Sequence, residues 1–203
     1  GYSFRAEVYL KQKRYNEAAD DILVALNIDE DRKAYYLMLE EYKDEQKLAL
    51  LKAKFQIKKT KEPNNVYWSY YYGTVLENNE LYRDAIEQYQ ECKRINASSM
   101  FDERISVCYS RMGDFSRALL YVDNALSLDT TNADLYERRA YIYGEMGNRA
   151  KAIEDLTKYI ELVKAQALEY GLNYSEEEIL SFAAQYAEME ETEEDEVVED
   201  DDT

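Results

Sequence analysis

Histidine is absent from this 203-residue chain, proline occurs once, cysteine twice and glycine six times. Without histidine the chain lacks the commonest general base and the commonest metal ligand. Cys92 and Cys108 form neither a CxxC pair nor a Cys/His cluster, so neither a disulfide framework nor a zinc site is expected. There is no glycine-rich phosphate loop and no GxSxG elbow, and a Ser/His/Asp set cannot be assembled. Paired carboxylates such as Asp20-Asp21 and Glu154-Asp155 stand among 43 acidic residues and read as surface charge. Catalysis, a metal and a cofactor are therefore not expected. No stretch approaches the roughly 20 apolar residues of a membrane-spanning helix, so membrane insertion is not expected either.

Few breakers and many helix formers predict long helices joined by short turns. The net charge is −18, and residues 188–203 alone carry 11 acidic side chains and no basic one. That balance argues against nucleic acid, whose phosphates need a cationic face. The chain opens at Gly1, without Met and already inside helical periodicity, which reads as a truncated array. Compartment is left open by this reading, with a cytoplasmic origin preferred to an exported one.

The strongest positive signal is an internal period. Ala6, Leu39, Gly73, Ser106 and Ala140 recur at gaps of 33, 34, 33 and 34 residues, as do Ala18, Leu51, Ala85, Ala118 and Ala152. Bulky residues keep the same register: Tyr9, Tyr42, Leu76, Tyr109 and Tyr143, then Ile22, Phe55, Tyr89, Val122 and Leu156. Ala25, Lys58, Cys92, Ala125 and Tyr159 follow one turn later. Two antiparallel helices approach closely only where one presents a small side chain, and large apolar side chains fill the space around it. A single hairpin cannot bury its apolar face, so neighbours must stack. Tyr15, Leu48, Tyr82 and Phe115 mark the turn into each second helix, a column that Arg149 breaks. Gly113, Gly147 and Asn78-Asn79 end first helices, while Pro63-Asn64-Asn65 and Thr130-Thr131-Asn132 separate units.

In these columns the sequence resembles the tetratricopeptide-repeat (TPR) family. The family signature looks like small–x–x–Tyr in the first helix and aromatic–x–x–Ala in the second. The third unit matches it through Gly73, Tyr82, Ala85 and Tyr89, and the fourth in its second half through Phe115, Ala118, Ala125, Leu126 and Thr130-Thr131-Asn132. The resemblance implies an all-α, right-handed α-solenoid of about five helical hairpins plus a C-terminal capping helix. Residues 1–166 form the array, with units at about 1–31, 32–65, 66–98, 99–132 and 133–166. The second unit departs most, because Leu51 and Lys58 stand where small residues are expected, and looser packing is anticipated there. Residues 167–189 read as an extension and a capping helix. Ser175 with Glu178 opens that helix, and Ile179, Phe182, Ala183 and Tyr186 lie along one face. Residues 190–203 read as a disordered acidic tail.

The resemblance also implies that first helices line a concave binding groove. The groove-facing positions carried over are Lys33, Tyr36 and Glu40, then Tyr67, Tyr70 and Thr74. Met100, Glu103 and Val107 follow, then Asp134, Glu137 and Tyr141. Residues 67–72 carry five aromatics in six positions, more than one helix face can bury, so some are expected to reach the groove. The carboxylate-clamp subclass of co-chaperones is rejected, since of its Lys/Asn/Arg positions only Arg104 fits. The run Lys43, Lys47, Lys52, Lys54, Lys58, Lys59 and Lys61 is read as a solvated helix surface in preference to a dock for an acidic segment. The expected function is a non-catalytic scaffold that binds a protein or peptide of unspecified identity in a tyrosine-rich groove. The alternatives are glycan or small-ligand binding through exposed aromatics, Trp68 among them, and self-assembly into a homo-oligomer or longer array.

Overall fold

A computed structural model describes residues 1–29 and 32–169. Their secondary structure is ten α-helices: α1 (Tyr2–Lys11), α2 (Tyr15–Asp29), α3 (Arg32–Glu41), α4 (Glu45–Lys61) and α5 (Val66–Asn78), then α6 (Tyr82–Ile95), α7 (Ser99–Arg111), α8 (Phe115–Leu128), α9 (Ala133–Glu145) and α10 (Arg149–Glu169). They fall into two compact units, Gly1–Leu128 and Asp129–Thr203. The first holds four successive hairpins, α1–α2 to α7–α8, and the second holds α9–α10.

Four of the five hairpins turn in the same way. Lys13, Glu80, Gly113 and Gly147 each take positive φ, between 59° and 73°. The next amide then reaches back to the bulky column of the first helix. Arg14 N–H donates to the Tyr9 carbonyl at 2.9 Å, Leu81 to Leu76 at 2.9 Å, Asp114 to Tyr109 at 2.9 Å and Asn148 to Tyr143 at 2.8 Å. Left-handed closure of this kind satisfies carbonyls that a helix end leaves open. In the third hairpin the left-handed residue is Glu80, not Asn78 or Asn79. Those asparagines point elsewhere: Asn78 Nδ2 donates to the Leu39 carbonyl at 2.9 Å, and Asn79 Nδ2 to the carbonyls of Val75 at 2.8 Å and Tyr42 at 3.3 Å.

The second hairpin is built differently. α3 stops at Glu41 and α4 starts at Glu45, capped by Asp44, whose Oδ1 accepts from Lys47 N–H at 2.9 Å. Leu48 therefore lies within the first turn of α4 and does not open it, as the repeat register had implied. The α3 and α4 backbones also lack the close approach made in the other four hairpins. Leu39 and Leu51 occupy the two places that Ala6 and Ala18, Gly73 and Ala85, and Ser106 and Ala118 fill elsewhere. Helices facing each other across two leucines cannot close to the distance that small residues allow. α4 rests instead on α2 and α5, and α3 rests on α1, α2 and α5.

Hydrogen bonds and ion pairs tie these hairpins together. The buried Tyr42 hydroxyl donates to the Tyr15 carbonyl at 2.7 Å. Lys54 Nζ meets Asp20 of α2 at 2.6 Å, and Lys59 Nζ meets Gln88 at 2.6 Å and Glu91 at 2.5 Å on α6. Lys93 pairs with the buried Asp102. Most of the lysine run is thus engaged: Lys43 with Glu40, Lys47 with Asp44, and Lys58 over the Trp68 ring.

In the second unit, Leu135, Ala140 and Ile142 of α9 are buried, and Ala152 is half-buried. An Arg–Asp fork recurs at equivalent repeat positions in the two units. Arg5 grips Asp21 at 2.6 and 2.7 Å, and Arg139 grips Asp155 at 2.7 and 2.7 Å. Met38, Tyr72 and Ile105 hold the arginine's place in the other hairpins and are buried. α10 continues to Glu169. The capping helix and acidic tail expected beyond it lie outside the described residues.

Candidate binding groove

The candidate surface originates in the composition of α5. A helix advances about 100° per residue, so Tyr67, Trp68, Tyr70, Tyr71 and Tyr72 point in different directions. Trp68 turns inward and is 1% exposed. Its indole N–H donates to Glu62 Oε2 at 2.8 Å, which also accepts from Asn65 Nδ2 at 2.9 Å. These bonds hold the Glu62 carboxyl below its ordinary pKa, with the indole the larger cause. Tyr72 is buried and stacks on Phe55, ring centroids 5.4 Å apart. Its phenol is pushed up to about 12 by burial. Tyr71 is buried, Tyr70 half-buried, and Tyr67 remains 50% exposed.

The outward rings join those of the neighbouring first helices. Tyr36 meets Tyr35 edge-on at 6.2 Å, Tyr35 meets Tyr71 at 6.2 Å, and Tyr71 meets Tyr70 at 5.7 Å. Tyr70 then reaches Phe101 of α7 at 6.4 Å, and Tyr67 stacks on Tyr71 at 6.2 Å. An unbroken path of rings thus crosses α3, α5 and α7. Over its α3–α5 part opens a cleft of about 280 Å³ lined by Leu26, Arg32, Tyr35, Tyr36, Tyr70 and Tyr71. Beside the path, Arg104 Nη2 lies 3.0 Å from Glu77 Oε2, which also accepts the Tyr89 hydroxyl at 2.7 Å. Arg104 Nε is buried without a hydrogen-bond partner among the described residues.

Several of the residues carried over from the family resemblance lie on the first helices that bear these rings. Tyr36, Tyr67 and Met100 are exposed, and Tyr70, Glu103, Arg104 and Val107 are half-buried. Glu40 is exposed and paired with Lys43, while Lys33 is held by Glu7 and sits over the Phe4 ring. Two expectations need correction. Thr74 does not face the groove, because α5 is buried on every side from Tyr71 to Leu76, and its hydroxyl donates to the Tyr71 carbonyl at 2.8 Å. Trp68 is likewise core and cannot stack on a ligand. Glu137 and Tyr141 lie on α9 in the second unit, where Tyr141 is exposed. The register missed Tyr35, Tyr71, Arg32 and Leu26, which complete the cleft. The adjacent tyrosines at 35–36 and 70–71 were the available signal, since two neighbouring rings on one helix cannot share a direction.

Among the described residues no group of His, Cys, Asp or Glu is arranged to hold a metal ion. No described helix is long and apolar enough to cross a membrane. Cys92 and Cys108 are buried, and burial pushes both thiols up to about 12.

The family model described as Tetratricopeptide repeat matches residues 133–163. Sperm-associated antigen 1 of Homo sapiens is 33% identical over 92 residues, which are 44% of this chain and 10% of that protein. The Rattus norvegicus protein of the same name is 30% identical over 92 residues, with the same coverage. The chain therefore spans about a tenth of the length of these relatives. Among solved structures, MamA MSR-1 aligns with a TM-score of 0.56 and 20% identity over 82% of this chain and 97% of its own. MamA 41-end from Desulfovibrio magneticus RS-1 gives 0.56 and 18% over 81% and 94%. At such identities the likeness shows the fold alone. The repeat register, the recurrent hairpin closure and these matches together identify tetratricopeptide repeats in the chain.

Proposed function

We propose that the chain is a non-catalytic scaffold that holds a segment of another protein on the tyrosine-lined surface of α3, α5 and α7. The observation that carries this reading is the continuous path of rings from Tyr36 to Phe101, with Tyr36, Tyr67 and Met100 left exposed along it. Stacked helical repeats present extended surfaces suited to peptides. Tyrosine supplies large contact area with few rotors and a hydroxyl to direct it. Burial of Trp68 weighs against glycan binding, because the largest flat face in the chain is then out of reach.

A photo-reactive phenylalanine analogue placed at Tyr36 or Tyr67 should cross-link a defined partner segment, identified by mass spectrometry. The same group at the exposed Lys52 of α4 serves as the control. Tyr36→Ala combined with Tyr67→Ala should abolish capture without changing helical content, since both rings are exposed. Equal cross-linking from Lys52, or capture indifferent to the double substitution, would remove the groove from consideration.

A further inference from the structure

α3 ends without the closure that the other first helices have. In those, a residue at positive φ turns the following amide back onto the helix; among the described residues no backbone N–H does so at the end of α3. A helix end leaves its last carbonyls open, and here the next hairpin takes up two of them. Asn78 Nδ2 donates to the Leu39 carbonyl at 2.9 Å. Asn79 Nδ2 donates to the Tyr42 carbonyl at 3.3 Å and to the Val75 carbonyl of its own helix at 2.8 Å. Asparagine is not a column of this repeat. Lys11, Asp44, Arg111 and Glu145 stand at the places equivalent to Asn78, and Gln12, Glu45, Met112 and Met146 at those equivalent to Asn79. The pair therefore stands at the one hairpin whose preceding first helix ends open.

These bonds lie at a joint beneath the ring path. α3 packs on α1 and α2 and stays apart from its own partner α4, whereas α5 packs closely on α6. Between α3 and α5, Tyr35 meets Tyr71 at 6.2 Å on the path itself, and the asparagines fasten the C-terminal ends of the same two helices. We infer that Asn78 and Asn79 are positioning residues for the groove. By latching the end of α3 to the end of α5 they set the spacing of Tyr36 from Tyr67, an inference that rests on the groove reading above. A surface already held in its bound geometry loses less freedom on association. A hydrogen bond of ordinary net strength shifts an equilibrium by about two- to tenfold, so losing the latch should loosen α3 without unfolding it.

Pulsed electron spin resonance between nitroxide labels tests the latch without a partner. Glu40→Cys on α3 with Arg111→Cys on α7 spans the ring path, while Arg83→Cys with Ser116→Cys stays within the third and fourth hairpins. All four positions are exposed, and the native Cys92 and Cys108 are buried. Asn78→Ala combined with Asn79→Ala should broaden or lengthen the first distance distribution and leave the second unchanged. Asn124→Ala, at an exposed asparagine of α8, should change neither. The photo-reactive group at Tyr36 is then tried on a synthetic peptide of the segment mapped with the parent protein. At saturating peptide its capture should fall by about twofold or more in the latch variant, and capture from Tyr67 should fall less. Asn78→Ala alone, checked by circular dichroism, keeps the test decisive should the double variant unfold. An unchanged first distribution, equal broadening of both, or equal loss of capture at the two positions overturns the inference and leaves the groove standing. If the parent captures nothing from either position, the groove reading falls and the positioning role falls with it.

Discussion

Gly73 lies directly beneath the ring of Tyr89: a Cβ at this glycine would stand 2.7 Å from Tyr89 Cε1 and 3.0 Å from Cδ1. The ring has little freedom to retreat. Tyr89 is fully buried, and its hydroxyl is tied to Glu77, which also holds Arg104 at the edge of the groove. The repeat's small position thus sits against a ring whose hydroxyl shares the Glu77 carboxylate with Arg104.

Gly73→Ala should consequently destabilise the protein. Overpacking a filled core costs about 1–3 kcal/mol, which outweighs the roughly 1 kcal/mol that alanine gains over glycine in a helix. A net loss of up to about 2 kcal/mol is expected in urea unfolding. Adding Tyr89→Leu should recover part of it by removing the ring. A Gly73→Ala variant as stable as the parent would show that the ring is not confined.

α4 should be the helix most sensitive to salt. It lacks the close small-residue packing with its own partner α3, and Lys54 and Lys59 strap it to Asp20 of α2 and Glu91 of α6. Such partly exposed pairs are each worth about 1 kcal/mol or less, and raising salt to about 1 M shortens the screening length to about 3 Å. Hydrogen exchange in α4 should then quicken more than in α7 and α8. Lys54→Met with Lys59→Met should reproduce the effect at low salt. Uniform quickening across the helices would sink the idea.

This same hairpin marks the boundary of what the sequence disclosed. The columns of small and bulky residues are set by how closely two helices approach, so Ala6, Ala18, Gly73, Ala85, Ser106 and Ala118 were legible from spacing alone. At Leu51 and Lys58 the size rule was broken and looser packing was expected; in the structure α3 and α4 lack the close backbone approach of the other hairpins, while Leu51 and Phe55 are still buried. The earlier start of α4 was not legible, because the Asp44 cap competes locally with the repeat register. The site was legible only in part. Tyr36, Tyr67 and Met100 were implied by the family resemblance and are exposed, but Thr74 lies in a stretch of α5 buried on all sides, which no period of 33 or 34 can reveal. Ring contacts between neighbouring helices, such as Tyr35 with Tyr71, depend on packing that adjacent tyrosines only hint at.

Both cysteines should be inert in the folded protein. Burial pushes the Cys92 and Cys108 thiols up to about 12, so almost no thiolate exists near neutrality and neither sulfur is accessible. An aromatic disulfide reagent at about pH 8, below the ordinary thiol pKa of about 8.5, should titrate neither in the native protein and both after denaturation. Rapid reaction of either in the native state would mean that its helix opens readily.

Acid should loosen the anchorage of Trp68 before that of the other core rings. Glu62 Oε2 accepts the indole N–H at 2.8 Å, and these bonds depress the folded-state pKa of Glu62 below its ordinary 4.5. A depressed carboxylate contributes stability that is fully present above the unfolded value and fades as pH falls through the folded one. The contribution should therefore be intact at neutral pH and lost progressively below 4.5. Trp68 is the only tryptophan in the chain, so intrinsic fluorescence reports on this contact directly. Glu62→Gln keeps an acceptor for the indole but removes the titrating charge. The stability difference between parent and variant, followed by fluorescence from about pH 7 to about pH 3, should narrow as the carboxylate protonates. A difference that stays constant across that range would mean that the Glu62 charge plays no part in holding Trp68.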